Sequence, residues 1–262
     1  MFLPIFFVLH WYLSLFMHSF YLHRYSAHQM FKLNKFWERF FYVLTFILQG
    51  SSFLNPRAYA ILHRMHHEYS DTEKDPHSPI QHPNLLGMMW HTRNIYLNIN
   101  ERKVAPEPQF EGGYPEWPTF DKISQSWYSR VFWVSFYTSI YVYSISITGQ
   151  WWWFALLPIH FIMGPAQGAV VNWCGHKYGY SNFDNHDHSK NTLAIDFLML
   201  GELFQNNHHK FPNRANFGAR WFEFDPTYAA MRLLDKLGLA KMKSDRIPRE
   251  ELLKRKEAGN AA

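Results

Sequence analysis

The sequence predicts an all-α integral membrane protein, in which helices span the membrane and the charged segments lie on its cytoplasmic side. Two features of its 262 residues indicate this class, since aromatic side chains make up 19% of the chain and charged side chains only 18%. Tryptophan and tyrosine favour the membrane–water boundary, because each ring has an apolar and a polar end. The third feature is the distribution of basic residues.

All 26 Lys and Arg residues fall in two blocks, one between residues 24 and 130 and one from residue 177 onward. A membrane-spanning helix needs about 20 predominantly apolar residues. The candidates outside or between these blocks are about 2–21, 127–147 and 151–173. Because short cytoplasmic segments are rich in Lys and Arg, we expect residues 23–126 and 174–262 on the cytoplasmic side and the turn at 148–150 opposite.

The remaining segments complete a single domain over residues 1–262. The first apolar segment lacks the basic start and cleavage site of a signal peptide, so we interpret it as a retained helix. Phe40 to Leu54 is too short for a span and predicts an interfacial or buried helix. Residues 104–121 predict an irregular loop, Tyr228 to Leu237 an amphipathic helix, and residues 244–262 a solvated charged tail.

Composition excludes several classes of protein. The single cysteine, Cys174, excludes a disulfide scaffold and a cysteine-rich zinc or iron–sulfur site. The net charge of +5 is too diffuse to indicate a nucleic-acid partner, and 47% hydrophobic residues exclude disorder.

The 16 histidines are concentrated in short motifs next to the predicted spans. These motifs are HRYSAH (His23, His28), HRMHH (His63, His66, His67) and QNNHH (Gln205, His208, His209), and His176 follows Asn172 by four residues. On a helix, residues three and four apart lie on one side, so each motif can present its imidazoles together. We therefore predict that the histidines of these motifs, together with His176, are metal ligands.

The number of ligands predicts two ions. One ion does not use eight imidazoles, although imidazole by itself suits iron, zinc or copper. Two iron ions with O2 could attack an unactivated C–H bond, and a site at the membrane indicates a lipid chain.

The other histidines are expected to have ordinary roles. His10, His18, His91 and His160 are predicted to be satisfied interfacial side chains, and His77, His82, His186 and His188 to be exposed. His18 could replace His23 in the first motif, but at ~1.5 Å per helical residue it would lie roughly 7 Å deeper in the bilayer.

Together with NWCGHKYGY and DPH at Asp75 to His77, the three motifs resemble the membrane-bound fatty-acyl desaturases of the stearoyl (delta-9) type. The resemblance implies a helical membrane bundle under a helical cytoplasmic cap, with two iron ions above a kinked hydrophobic tunnel. It also implies that two hydrogens are removed from adjacent methylenes of a C16 or C18 chain while O2 is reduced to water. The implied iron ligands are His23, His28, His63, His66, His67, His176, His208 and His209, with Asn172 holding a metal-bound water.

Two departures from the family pattern stand out. The third motif begins with Gln205 where the family has a histidine, so we expect only a weak or water-mediated metal contact there. One span precedes His23 where the four-span family members have two, so the first helix is either absent or lies before this sequence.

Several further residues are candidates for supporting roles. Glu202, Asp75 and Asp196 are close in sequence to ligands and could accept hydrogen bonds from imidazole N–H groups. Tyr59 lies on the His63 face of its helix and is a candidate for the tunnel wall. Basic candidates for a phosphate-bearing head group are Arg57, Arg64 and Arg93.

Two other functions stay open at this stage: a di-iron hydroxylase or monooxygenase of lipid or alkane chains, and a non-enzymatic metal-binding or transporting membrane protein. The acyl group could arrive as a CoA thioester, a carrier-protein thioester or a phospholipid. The chain has no four-cysteine pattern and no haem domain, so electrons must come from a separate ferredoxin, rubredoxin or cytochrome b5 with its reductase. We expect a multi-pass protein of a bacterial inner membrane, with its active site on the cytoplasmic face.

Overall fold

The computed structural model describes residues 2–243, and helices dominate it, which confirms the predicted class in its main part. The charged tail at 244–262 lies outside the described residues. Among the described residues, two helices are long and apolar enough to cross a membrane, Phe2–Ala27 and Trp127–Thr148, and a bent pair of helices can form a third span.

The first of these segments changes its helical form halfway. It begins as the α-helix α1 (Phe2–Met17) and continues as a π-helix (His18–Ala27). The wider π turns suit functional sites, because they change the direction in which side chains project. Here they bury His23 and Arg24 almost completely, whereas Leu9 and Leu13 of α1 remain exposed on the outer surface.

Four helices form the part between the first and second spans. They are α2 (Lys35–Gln49), α3 (Pro56–Tyr69), α4 (Leu85–Asn100) and α5 (Pro118–Ser124). Asparagine side chains cap α2, α3 and α4 by accepting a backbone N–H of the first turn, as this residue type favours. Residues 104–121 are irregular apart from one short turn at Pro108–Phe110 and the start of α5, close to the prediction.

The predicted span at 151–173 is not one continuous helix but a bent pair of helices. After α6 (Trp127–Thr148) a 3-10 turn (Trp151–Leu156) leads into α7 (Leu157–Phe161), and α8 (Met163–Gly175) follows at a bend of 74°. Pro165 has no backbone N–H to continue the hydrogen-bond ladder. At the same bend, the N–H of Gly164 donates to the hydroxyl of Ser52 at 3.0 Å.

The second half of the cap departs from the all-helical expectation. Residues 176–204 are largely irregular and lead into α9 (Gln205–Lys210). The amphipathic segment forms α10 (Pro226–Lys236), and two-residue strands, β1 (Phe31–Lys32) and β2 (Lys241–Met242), pair antiparallel. This ladder fastens the end of the described chain to the segment after the first span.

Two histidines lie inside the bundle of spans rather than at its edge. His10 Nδ1 lies 2.6 Å from His160 Nε2, and both side chains are buried. The hydroxyl of Tyr141 lies 3.1 Å from the other nitrogen of His160, and that of Tyr137 lies 3.5 Å from the other nitrogen of His10. The prediction that these histidines are satisfied is confirmed.

Candidate metal centre

Eight imidazoles from four separate segments converge under the cap. The π-helix supplies His23 and the residue that follows it supplies His28, α3 supplies three, α8 ends before His176, and α9 supplies two. The ligand atoms form two groups in which all atoms lie within 4.8 Å of one another: His23, His28, His63, His67 and His208, and separately His66, His176 and His209.

In the group of five, the Nε2 atoms lie close to one another. His208 Nε2 lies 2.9 Å from both His23 Nε2 and His67 Nε2. His63 Nε2 lies 2.8 Å from His28 Nε2 and 3.0 Å from His67 Nε2. The same nitrogen of every ring therefore points to one shared volume.

The group of three has the same inward direction. His66 Nε2 lies 3.2 Å from His209 Nε2, and the ring of His176 is 5.0 Å and 4.9 Å from the other two ring centres. His176 Nε2 is buried and has no hydrogen-bond partner among the described residues. A buried nitrogen without a partner is costly unless another group binds it.

Carboxylates hold the outer nitrogens of four of these rings. The Nδ1 atoms of His23 and His209 lie 2.5 Å from Glu202 and Asp187, respectively. Those of His66 and His176 lie 2.9 Å from Asp75 and Asp71. Such contacts fix the ring hydrogen on Nδ1 and leave a lone pair on Nε2, as metal-binding histidines require.

The three carboxylates predicted to accept hydrogen bonds from imidazoles have different partners in the structure. Glu202 and Asp75 accept from imidazoles, whereas Asp196 accepts the backbone N–H groups of Met199, Gly201 and Leu203, and its oxygens bond no imidazole of residues 2–243. Its role as an imidazole partner is therefore wrong, because the turn after it uses both of its oxygens.

Three partners escaped the sequence reasoning. Asp71 and Asp187 reach histidines 105 and 22 residues away, which no local spacing indicates. The buried guanidinium of Arg24 bridges Glu202 and Asp225, at 2.7 Å to each. The guanidinium carbon also lies 3.8 Å from the ring centre of Phe217. Arg24 therefore fixes Glu202, the carboxylate that orients His23.

Burial keeps most of these imidazoles neutral. It lowers the pKa of His63, His67 and His208 well below the ordinary value, and that of His209 to about 4. At His66 the same burial is outweighed by Asp75, and the pKa is raised. Only a neutral imidazole can bind a metal, so the surroundings favour the form that binds.

His77 was expected to be exposed, and the structure contradicts this. Its side chain is 3% exposed, because Asp75 accepts its backbone N–H at 2.9 Å and turns the residue inward. Neither ring nitrogen has a hydrogen-bond partner among the described residues, and its ring lies 4.1 Å from that of His66. His186 and His188 are exposed as expected, and His82 is half-buried.

Both weak metal contacts of the prediction, Asn172 and Gln205, lie in the wall of a cavity beside the metal groups. The Gln205 amide donates to the backbone carbonyl of Glu202 at 2.6 Å, which leaves its side-chain oxygen available. A Cβ at Gly175 would lie 2.4 Å from Cγ of Gln205, so the close approach of α8 and α9 requires a glycine there.

The cavity has a volume of about 660 Å³ and runs from the metal groups to the bend between α7 and α8. Tyr59 lies in its wall, with its ring 5.7 Å from that of His63 and 5.0 Å from that of His18. Ligand pockets typically have volumes of ~300–1,000 Å³ and mostly apolar walls with a few polar groups, so this cavity has the size of a ligand pocket.

Of the basic head-group candidates, only Arg93 faces this cavity. Arg57 is buried and donates to the carbonyl of Ile99, and Arg64 donates to carbonyls on both sides of α3, including those of Ala27 and Phe110. Both arginines therefore hold segments of the cap together.

Residues 1–244 match the family model for fatty acid desaturases, so the chain belongs to the fatty acid desaturase family, whose members are oxidoreductases. It is 31% identical to an acyl-CoA 5-desaturase of Anemone leveillei, over 83% of this chain and 64% of that protein. It is 32% identical to a hex-5-enoyl-[acyl-carrier protein] acetylenase of Moorena producens, over 87% and 73%.

An sn-1 stearoyl-lipid 9-desaturase of Anabaena variabilis is 29% identical over 83% of this chain and 75% of its own length. The chain thus spans about two thirds to three quarters of the length of these curated relatives. The resemblance inferred from the histidine motifs is confirmed at the level of the family.

Proposed function

We propose that this protein is an O2-dependent acyl desaturase that introduces a cis double bond at carbon 9 of a saturated C16 or C18 chain, with two iron ions. The observation that carries the proposal is the arrangement of His66 and His209. Carboxylates hold Nδ1 of both rings, so their Nε2 lone pairs face each other across 3.2 Å. Two facing lone pairs repel, so a cation between them, either a metal ion or a proton taken up by His66, is needed to explain the contact.

The residues present fit two ions. The five-imidazole group and the three-imidazole group give each ion its own donors, and Asn172 and Gln205 add oxygen atoms in the cavity wall. When bound, two irons would activate O2, the oxidant in the reaction R–CH2–CH2–R + O2 + 2 electrons + 2 H⁺ → R–CH=CH–R + 2 H2O. A separate protein donates the electrons.

The residues of the protein contribute to the reaction by positioning the acyl chain. A saturated acyl chain has no polar group near its middle, so the site of reaction depends on where the cavity holds it. The wall contains His63, Tyr59 and Val171 near the metal groups, and Gly50, Trp133 and Ile162 also line the cavity. A chain held in this cavity would therefore lie beside the imidazoles of the metal groups.

The distribution of Lys and Arg supports a cytoplasmic position for the centre. The two basic blocks flank the spans on the side of the histidine motifs, and positive charge marks the cytoplasmic side.

The test is expression in a host without its own desaturases, followed by mass spectrometry of derivatised fatty acids. Delta-9 C16:1 or C18:1 is expected, and metal analysis should give two irons per chain. Hydroxy acids without alkenes would support the hydroxylase alternative instead, and a stoichiometry near one iron would contradict the two-ion centre.

A further inference from the structure

The mouth of the cavity lies between α4 and the start of α6. On α4, the exposed side chains of Leu86, Trp90 and Arg93 form part of the cavity wall. On α6, the exposed side chain of Arg130 does the same. Since α6 is one of the two continuous candidate spans and begins at Trp127, this opening lies at the membrane surface.

The rim of the mouth is unusually apolar for a surface in contact with water. Leu86 is 80% exposed and Trp90 63% exposed on α4, and Trp127 and Tyr128 are 61% and 69% exposed at the start of α6. Large exposed apolar patches mark interaction surfaces, and tryptophan and tyrosine favour the membrane boundary. The patch continues into the exposed Val131 and Phe132 of the span, so its occupant is the lipid leaflet.

The charge at the mouth is small. Among the described residues, Arg93 and Arg130 are the only Lys or Arg side chains in the cavity wall. Glu101 pairs with Lys103 at 2.5 Å, and Lys103 chiefly, then Arg130 and Arg93, lower the pKa of its carboxyl. Because Lys103 already pairs with Glu101, the two arginines match one phosphate group, whereas a CoA thioester brings several phosphate charges that must be matched.

We infer that the acyl chain enters this mouth sideways from the membrane, as the esterified chain of a phospholipid whose phosphate lies at Arg93 and Arg130. The inference rests on the proposed function and chooses between the three acyl carriers that the sequence leaves open. Trp90 and Leu86 would then lie among the acyl chains of the leaflet, where a soluble thioester has no access.

A binding experiment tests this inference without turnover. The full chain is reconstituted in vesicles that contain phosphatidylglycerol with a diazirine close to the carboxyl end of its acyl chain, and the labelled peptides are identified after illumination. We expect label on the α4 peptide around Trp90, and at least a three-fold loss in Arg93→Gln/Arg130→Gln. The control is Arg102→Gln, an exposed arginine that pairs with Glu116 outside the cavity wall and should label normally.

A second measurement separates this inference from the proposed function. Membranes of the expressing host receive deuterated stearoyl groups as phosphatidylglycerol, as a CoA thioester or as a carrier-protein thioester under conditions that block acyl transfer to lipid. Desaturation of the phospholipid alone supports the inference. Desaturation of either thioester at an equal or higher rate, or labelling at α4 that stearoyl-CoA abolishes, overturns it while the desaturase function stands. Labelling at α4 with no double bond in any substrate overturns the function and leaves phospholipid binding in place.

Discussion

The protein buries histidines in two regions with opposite consequences. In the bundle of spans, His10 and His160 contact each other at 2.6 Å, and tyrosine hydroxyls lie near their remaining nitrogens. Under the cap, His66 and His209 also face each other, but Asp75 and Asp187 already hold their outer nitrogens. The first pair can satisfy itself by sharing one hydrogen, whereas the second presents two lone pairs.

The difference lies in the neighbours rather than in the histidines. A hydroxyl can donate or accept, so Tyr141 and Tyr137 adapt to whichever tautomer the first pair adopts. A carboxylate only accepts, and it therefore fixes the hydrogen on the outer side of the ring. Buried histidines next to hydroxyls thus stabilise a fold, and buried histidines backed by carboxylates prepare a metal site.

The largest effect is expected from removal of an imidazole under the cap. His208 Nε2 lies 2.9 Å from the Nε2 atoms of two other rings of the five-imidazole group. Because those two rings already contribute their own nitrogens, neither can replace the nitrogen of His208. His208→Ala should lose nearly all desaturation and at least half of the bound iron, measured by fatty-acid analysis and metal analysis. His186→Ala, at an exposed histidine, is the matched control and should match the parent protein.

A smaller effect is expected where a carboxylate behind a ring is changed. Asp75→Asn removes the charge that holds His66 Nδ1, and loss of such outer partners typically lowers metal affinity by about 10–100-fold. Asp196→Asn is the control, because this equally buried carboxylate is held by the backbone N–H groups of its own turn. Competition with a chelator measures both. Equal affinity loss in the two variants would contradict the orienting role of Asp75.

The contrast between these two aspartates shows what sequence reasoning can reach. Local spacing on α3 and α9 predicts that each motif presents its imidazoles to one region, because helical geometry depends on neighbours alone. It does not predict that His66 and His209 join one group while His63, His67 and His208 join the other. Asp196 is close to the third motif in sequence, yet its oxygens are used by the turn at 199–203. Asp187 is farther away and contacts His209 at 2.5 Å, since the irregular segment before α9 folds back on the centre.

The membrane part shows a similar limit. Its apolar segments were identified from composition, but the 74° bend at Ile162 was missed although Gly164 and Pro165 follow it directly. The pairing of His10 with His160 joins residues 150 positions apart, and only the packing of α1 against α7 brings them together. Contacts of this range depend on the tertiary arrangement, which the sequence pattern leaves open.

A moderate effect is expected at Gln205, which stands in the cavity wall where the family pattern has a histidine. Its amide nitrogen donates to a backbone carbonyl, so at most its oxygen reaches the ion or a bound water. Gln205→Ala should keep its iron and lose activity several-fold, and Gln205→His should be tolerated. If Gln205→Ala were as depleted of iron as His208→Ala, Gln205 would be a direct metal ligand, and the expectation of a weak or water-mediated contact would be wrong.

The smallest effect on the metal is expected from the pair inside the spans. His160→Leu leaves a nitrogen of His10 and the hydroxyl of Tyr141 without their partner, and an unsatisfied buried polar group costs about 1–3 kcal/mol. The variant should therefore unfold more easily in detergent, with iron content and product position unchanged. The double variant His10→Leu/His160→Leu should recover part of this stability, because replacing both partners with apolar groups can be nearly neutral. Thermal unfolding of the parent, both single variants and the double variant gives the coupling between the two rings. Loss of iron from His160→Leu at full stability would show that the two regions are linked, and the distinction between them would fail.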